Sequence, residues 1–289
     1  MLISFTGADD NTDLNRFVNI ARRAADKKLL IGDGILVEAG VLFFPEKMGQ
    51  PRNPSFNTRH TLYRSMSTAA HLCGSQIFDT FLSRNETNAQ ARNMQYLVGE
   101  LDNYDRIQVN INARGRKYTT EEVHDVYFQI LETVKDTRLI LQLHEDSADD
   151  IRSFVQRLKN KDYGHREPKN PVMQILLPDA YGAFHRNSLQ RIQILVDSSR
   201  GRGTAPEKWI VQHAEEFKDM PLGIAGSLGP GRHVSELMRF AQDTGLRAAW
   251  IDMESGPRTD NQFDLDKMQR VIDEVQEALT EPAQPETTT

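Results

Sequence analysis

Along the whole chain, short β-rich apolar runs alternate with longer stretches whose apolar residues repeat at helical spacing. This alternation constrains the fold more than any other feature. Strands that follow one another through intervening helices lie parallel, with the helices packed outside the sheet. The runs are Leu2–Thr6, Gly40–Phe44, Ala69–Cys73, Arg106–Asn110, Arg138–Leu143, Val172–Leu177, Ile192–Val196, Leu222–Ala225 and Ala248–Ile251. Helices are predicted at Asp13–Lys27, Thr120–Lys135, Ala148–Lys159, His233–Thr244 and Leu265–Leu279. The second of these carries a capping signature, in which Thr119 or Thr120 accepts from backbone N–H groups while Glu122 reaches back. In the last, Leu265, Met268, Val271, Ile272, Val275 and Leu279 line one face, which predicts packing against a sheet.

A parallel sheet of this kind is either open and doubly wound or closed into a barrel. No glycine-rich dinucleotide turn stands early in the chain, and chemically distinctive residues recur at many run ends. Both features predict a single-domain α/β fold, a (β/α)8 TIM barrel. Nine runs compete for eight places, and either Ala69–Cys73 or Val172–Leu177 is the surplus one. The barrel is expected over 1–279, with the polar segment Asn160–Asn170 as an exposed loop and the Pro/Thr/Glu-rich tail 280–289 disordered.

A chain of 289 residues buries a large core without covalent or metal staples. The single cysteine, Cys73, excludes an intrachain disulfide and a multi-cysteine zinc site. With net charge −6 and no strong basic block, the composition argues against nucleic acid as a partner. No apolar run approaches the roughly 20 residues that span a bilayer, and the N-terminus lacks the pattern of a signal peptide. The expected location is cytoplasmic, with no membrane partner, no cofactor and no metal. Asp9, Asp10, Asp252 and Glu254 are suitable metal ligands by type but lack a recognisable ligand spacing.

In such a barrel the loops after the strands form the active face. Two late loops are rich in small residues: Ile224–Gly231, IAGSLGPG, and Trp250–Arg258, WIDMESGPR. Backbone N–H groups there can converge on an anion, which makes Gly226, Ser227, Glu254, Ser255 and Gly256 candidate binding residues for a phosphate. The alternative is that the glycines only make tight turns. Before them lies ILVDSSRGRGTAP, in which Asp197 ends a hydrophobic run, where its carboxyl can serve as general acid or base; the plainer alternative is a turn-capping aspartate. Cys73 and His71 sit two apart on one strand and so share a face, either as a reactive pair or, for Cys73, as a buried small hydrophobe. His144 is a ligand-binding imidazole or a hydrogen-bonded core residue. Asp9 can take a proton or cap the helix that follows.

Several of these segments together resemble the phosphoribosylanthranilate isomerase family, the barrel enzymes of tryptophan biosynthesis. GVLFFPEKMGQPR at Gly40–Arg52 is similar to the family's second-strand block, and Gln142-Leu143-His144 to its Gln-Leu-His strand end. VDSSRGRGT, IAGSLGP and IDMESGPRTDNQFDLDKMQRVI follow in the family's order. The resemblance implies an Amadori-type, aldose–ketose isomerisation of a phosphoribosyl conjugate, with a small-molecule sugar phosphate as the partner. It places the general acid at Asp197, the phosphate at Gly226, Ser227 and Gly256, and a carboxylate of the substrate at Arg52. At the place of the family's catalytic cysteine stands Thr6, whose hydroxyl is too weak a base without activation. Glu254 stands in a serine place, and Arg258 where the family has glutamate. A carboxylate at Glu254 repels a phosphate unless it is protonated or paired, with Arg258 or Arg202 as the expected partner.

Overall fold

Eight parallel strands close on one another in chain order, each hydrogen-bonded to the next and the last to the first. The computed structural model describes residues 1–26, 34–82, 96–110, 118–134, 136–144, 146–160, 188–197, 216–226, 228–231, 234 and 250–280. The strands are β1 (Leu2–Thr6), β2 (Leu36–Phe43), β3 (Thr68–Leu72), β4 (Arg106–Val109), β5 (Arg138–Leu143), β6 (Ile192–Asp197), β7 (Leu222–Ala225) and β8 (Trp250–Met253). The surplus among nine candidates is thereby resolved. Thr68–Leu72 takes the third place, and the barrel closes without Val172–Leu177, which lies outside the described residues.

Around the barrel run α1 (Leu14–Asp26), α2 (Phe56–Ser65), α3 (Ser75–Phe81), α4 (Thr120–Thr133), α5 (Ala148–Lys159) and α6 (Leu265–Thr280). The capping box expected at the start of α4 is present, with Thr119 as the cap and Glu122 reaching back. On α6 the predicted face is buried as a whole. The sequence reading did not include α2 and α3. Only Arg59 and Leu62 of α2 are buried, and α3 has seven residues, so neither displays a full helical repeat. The predicted helix His233–Thr244 lies, apart from Val234, outside the described residues, as do 161–170 of the polar segment and 281–289 of the tail, while Thr280 is the last residue of α6.

Each strand alternates. Ile3 and Phe5 of β1 join the large apolar core between barrel and helices, while the residues between them face the barrel axis. That interior is unusually polar. Within it Ile140, Leu195, Ala225 and Trp250 form a small apolar cluster. Against it lies Arg106, whose guanidinium stacks 4.6 Å from the Trp250 ring and grips Glu38 through two bonds of 2.7 and 2.5 Å. Gln193 accepts a further bond of 3.1 Å from the same group. Gly223 of β7 makes room for the indole, since a Cβ there would stand 2.2 Å from it. Arg106 and Trp250 are the first residues of their strands, so their stack fills that end of the barrel, and any ligand belongs at the opposite mouth, where the strands end.

Candidate functional site

At that mouth β1 ends in Thr6, which is fully buried. Its hydroxyl donates to Asp252 Oδ1 at 2.8 Å and lies 3.4 Å from His71 Nε2. Three strands, β8, β1 and β3, thus meet through their inward side chains. Between β1 and β3 runs β2, and its residue at this level is Gly40, paired in register with Thr6. A Cβ on Gly40 would fall 1.9 Å from Thr6 Oγ1 and 3.0 Å from His71 Nε2. Glycine is what allows the two side chains to meet.

The electrostatics of this group follow from its burial. Asp252 is pushed up to about 7, chiefly by loss of water and further by the charges of Glu38 and Asp197, against the pull of the Thr6 hydrogen bond and of Arg106. His71 is pushed down to about 4 by the same loss of water, so its ring is neutral at neutral pH. Burial also pushes the Cys73 thiol up to about 12, even though the Asn110 amide donates to its sulfur at 3.7 Å. Cys73 is therefore a thiol at neutral pH and no thiolate base. Its bonded neighbour is Asn110, while His71 faces Thr6.

Asp197 ends β6 at the same mouth, and its Oδ2 accepts from the Gln142 side chain of β5 at 2.8 Å. His144, two residues on, is buried, and its Nδ1 accepts from the backbone N–H of Asp146 at 3.1 Å, closing the turn before α5.

On the rim, the loop after β1 is tied down by Asp9. One carboxylate oxygen accepts from the backbone of Asn11, and the other from the backbone of Arg52 at 2.9 Å and from Arg258 at 3.4 Å. Asp9 thus clamps three segments, and the cap of α1 is Asp13, which accepts from Arg16 N at 3.0 Å. Arg52 adopts a left-handed backbone, φ 71°, and its guanidinium lies 3.4 Å from Glu254. The counter-ion of Glu254 is therefore Arg52; Arg202 lies outside the described residues. Arg258 instead donates to Gly7 O at 2.6 Å and to Asn261 O, held there by a tight turn over Asp260 and Asn261, both at positive φ.

The two glycine loops touch. A Cβ on Gly256 would stand 1.8 Å from Leu228 O, so that glycine is needed for the loops to pack, whatever they bind. Gly226 has φ 113°, and Ser255 is exposed beside Gly256. Ser227 lies outside the described residues. Among the described residues no group of three or more His, Cys, Asp or Glu could hold a metal ion, and no helix is long and apolar enough to cross a membrane.

Two groups of the residues singled out in the sequence come together in the fold. Thr6, Asp197 and the inward-facing Asp252 share the barrel mouth; Asp9, Arg52, Glu254 and Arg258 form a linked rim. The pairing of Thr6 with Asp252 and His71, and that of Gln142 with Asp197, escaped the sequence reading. Alternation put each on the inner face, but nothing in one chain tells which inward residues of distant strands will meet.

No family model matches the sequence, and no curated protein matches it. Among solved structures the chain is similar to a phosphoribosyl anthranilate isomerase from Thermus thermophilus, at 10% identity and TM-score 0.50, covering 95% of this chain and 98% of that one. It is also similar to the spore coat polysaccharide biosynthesis protein spsE from Bacillus subtilis, at 11% identity and TM-score 0.51, covering 99% of this chain and 71% of that one. A third likeness is to a psychrophilic glycoside hydrolase family 10 endo-beta-1,4-xylanase, at 8% identity and TM-score 0.50, covering 95% of each chain. At such identities the likeness is one of fold, a (β/α)8 barrel.

Proposed function

We propose that this chain is an enzyme that isomerises a sugar-phosphate conjugate by acid–base catalysis, an Amadori-type aldose–ketose rearrangement with Asp197 as the general acid. The observation that carries this reading is the position of Asp197 at the end of β6, oriented by Gln142 at 2.8 Å, at the same mouth as the carboxyl of Asp252. Two carboxyl groups at one barrel mouth, one of them with its proton affinity raised toward neutrality, suit a reaction that adds a proton in one place and removes one in another. The glycine loops after β7 and β8 are suited to the phosphate, and Arg52 to an acidic group at the far end of the substrate. The fold likeness to an isomerase of this reaction class, together with the order of motifs along the chain, is consistent with the same assignment.

The test is turnover of phosphoribosylanthranilate by the native protein and by Asp197→Asn. Native turnover that falls by about 10²–10⁴-fold in the variant supports the assignment, that being the usual contribution of a general acid. Native turnover that survives Asp197→Asn removes the acid. Absence of native turnover removes the isomerase reading for this substrate and leaves the binding of a sugar phosphate without catalysis as the alternative.

A further inference from the structure

The isomerase reading has an acid but no base in the expected place, since Thr6 stands where a thiolate would be needed. We propose that Asp252 accepts the proton from the substrate carbon, and that Thr6 and His71 are positioning residues that hold its carboxylate for that task. The inference rests on the function proposed above and supplies the group which that function lacks.

The geometry runs in one direction. The Thr6 hydroxyl has a single proton, and it goes to Asp252 Oδ1 at 2.8 Å. The Thr6 oxygen then faces His71 Nε2 at 3.4 Å as an acceptor, which puts the ring proton of His71 on Nε2. His71 donates to Thr6, and Thr6 donates to Asp252. One oxygen of Asp252 is thus held, while Oδ2 has no hydrogen bond among the described residues and is available to take a proton. The open space at Gly40 exists for this chain of contacts, because any side chain there would strike both Thr6 and His71.

The charged and titratable groups that face Asp252 come from every side of the barrel: Glu38 on β2, His71 on β3, Arg106 on β4 and Asp197 on β6. Burial, Glu38 and Asp197 raise its proton affinity, and Thr6 and Arg106 oppose the rise, leaving it near 7. A base works best when its conjugate acid titrates near the working pH.

The step balances without an added reagent. Asp197 gives its proton to the ring oxygen as the C1–O bond breaks, and the nitrogen lone pair forms C1=N. Asp252 then takes the C2 proton. The C2–H electron pair becomes C1=C2, and the C1=N pair returns to nitrogen. The resulting enol-amine returns its hydroxyl proton to the Asp197 carboxylate and takes a proton at C1 from Asp252, so both carboxyl groups end as they began. C2 is thereby oxidised to the ketone and C1 reduced by the same two electrons.

Two measurements decide the matter. In protein labelled with carboxyl-13C aspartate, a pH titration should show one resonance titrating near neutrality that is absent in Asp252→Asn. Thr6→Val should move it up by about one pH unit or more, because a hydrogen bond to the charged form is lost. His71→Leu should move it the same way by less, and Thr6→Ser should restore it. With phosphoribosylanthranilate, Asp252→Asn should lower kcat by about 10²–10⁴-fold, and Thr6→Val should shift the acidic limb of the kcat/KM profile to higher pH. An ordinary carboxylate titration for Asp252, or one that ignores Thr6→Val, overturns the inference, as does turnover that survives Asp252→Asn. If the native protein leaves this substrate untouched, the isomerase reading falls, and the titration alone then decides whether Thr6 and His71 hold Asp252.

Discussion

Thr6 on the first strand and Asp252 on the last are joined by a 2.8 Å hydrogen bond across the seam that closes the barrel. The bond couples closure of the fold to the state of the site. A hydroxyl that donates to a buried carboxylate favours its charged form, and the same burial disfavours that form by more.

Gly40→Ala tests the space beside this bond. The new methyl would lie 1.9 Å from Thr6 Oγ1, and Thr6 is fixed by β1 on one side and Asp252 on the other. Overpacking of this kind costs about 1–3 kcal/mol. Urea unfolding should show that loss, and the neutral titration of Asp252 should move with it. An alanine that is tolerated at no cost would show that Thr6 can move aside.

Two buried groups give stability opposite slopes with pH. Asp252 rises from 3.8 to about 7 in the fold, so its contribution is complete below about pH 4 and is lost as pH rises toward 7. His71 falls from 6.5 to about 4, so its contribution is complete above 6.5 and is lost as pH falls toward 4. Relative to native protein, Asp252→Asn should therefore gain stability between pH 4 and 7, and His71→Gln should lose it between pH 4 and 6.5. The difference curve should span about 4 kcal/mol for Asp252 and about 3 kcal/mol for His71. Parallel curves for native and variant would refute the assignment of that group.

The Glu38–Arg106 pair is sealed in the barrel, with side chains 1% and 3% exposed. Glu38→Gln leaves a guanidinium without its counter-charge, and breaking a buried pair from one side costs about 3–5 kcal/mol. Chemical unfolding should show a loss of this size. A much smaller loss would mean that Gln193 and the Trp250 face suffice to hold Arg106.

Replacing Gly226 with valine probes the anion loop. At φ 113° a β-branched residue is strained, so the turn must open. Calorimetry with ribose 5-phosphate should then show affinity lowered at least about tenfold, which is 1.4 kcal/mol. Unchanged affinity would exclude this loop as the phosphate site.

Arg52→Ala separates ligand binding from folding. Its partner Glu254 has a side chain 46% exposed, and such surface pairs contribute little to stability. Thermal unfolding should stay where it is. Binding of a substrate analogue that ends in an aryl carboxylate should weaken, whereas binding of ribose 5-phosphate should not. Equal loss of both would assign Arg52 to the phosphate end.

What could be read from the chain alone is what depends on near neighbours in sequence. Strand alternation, the capping box at Thr119 and the buried face of the last helix are local, and each has a period or spacing visible in the letters. The barrel followed from repetition of that local unit, and Asp197 and Thr6 were legible because they end apolar runs. The short helix at Ser75 and the weakly striped one at Phe56 were not, since neither is long or apolar enough to show a repeat. The tertiary structure alone decided which inward residues meet. Thr6 and Asp252 are 246 positions apart, and Thr6 and His71 are 65 apart. Their contact depends on closure of the sheet and on an empty place at Gly40. Only that closure removes water from Asp252 and His71. The change in their proton affinities is therefore a property of the closed barrel, and no local stretch of sequence carries it.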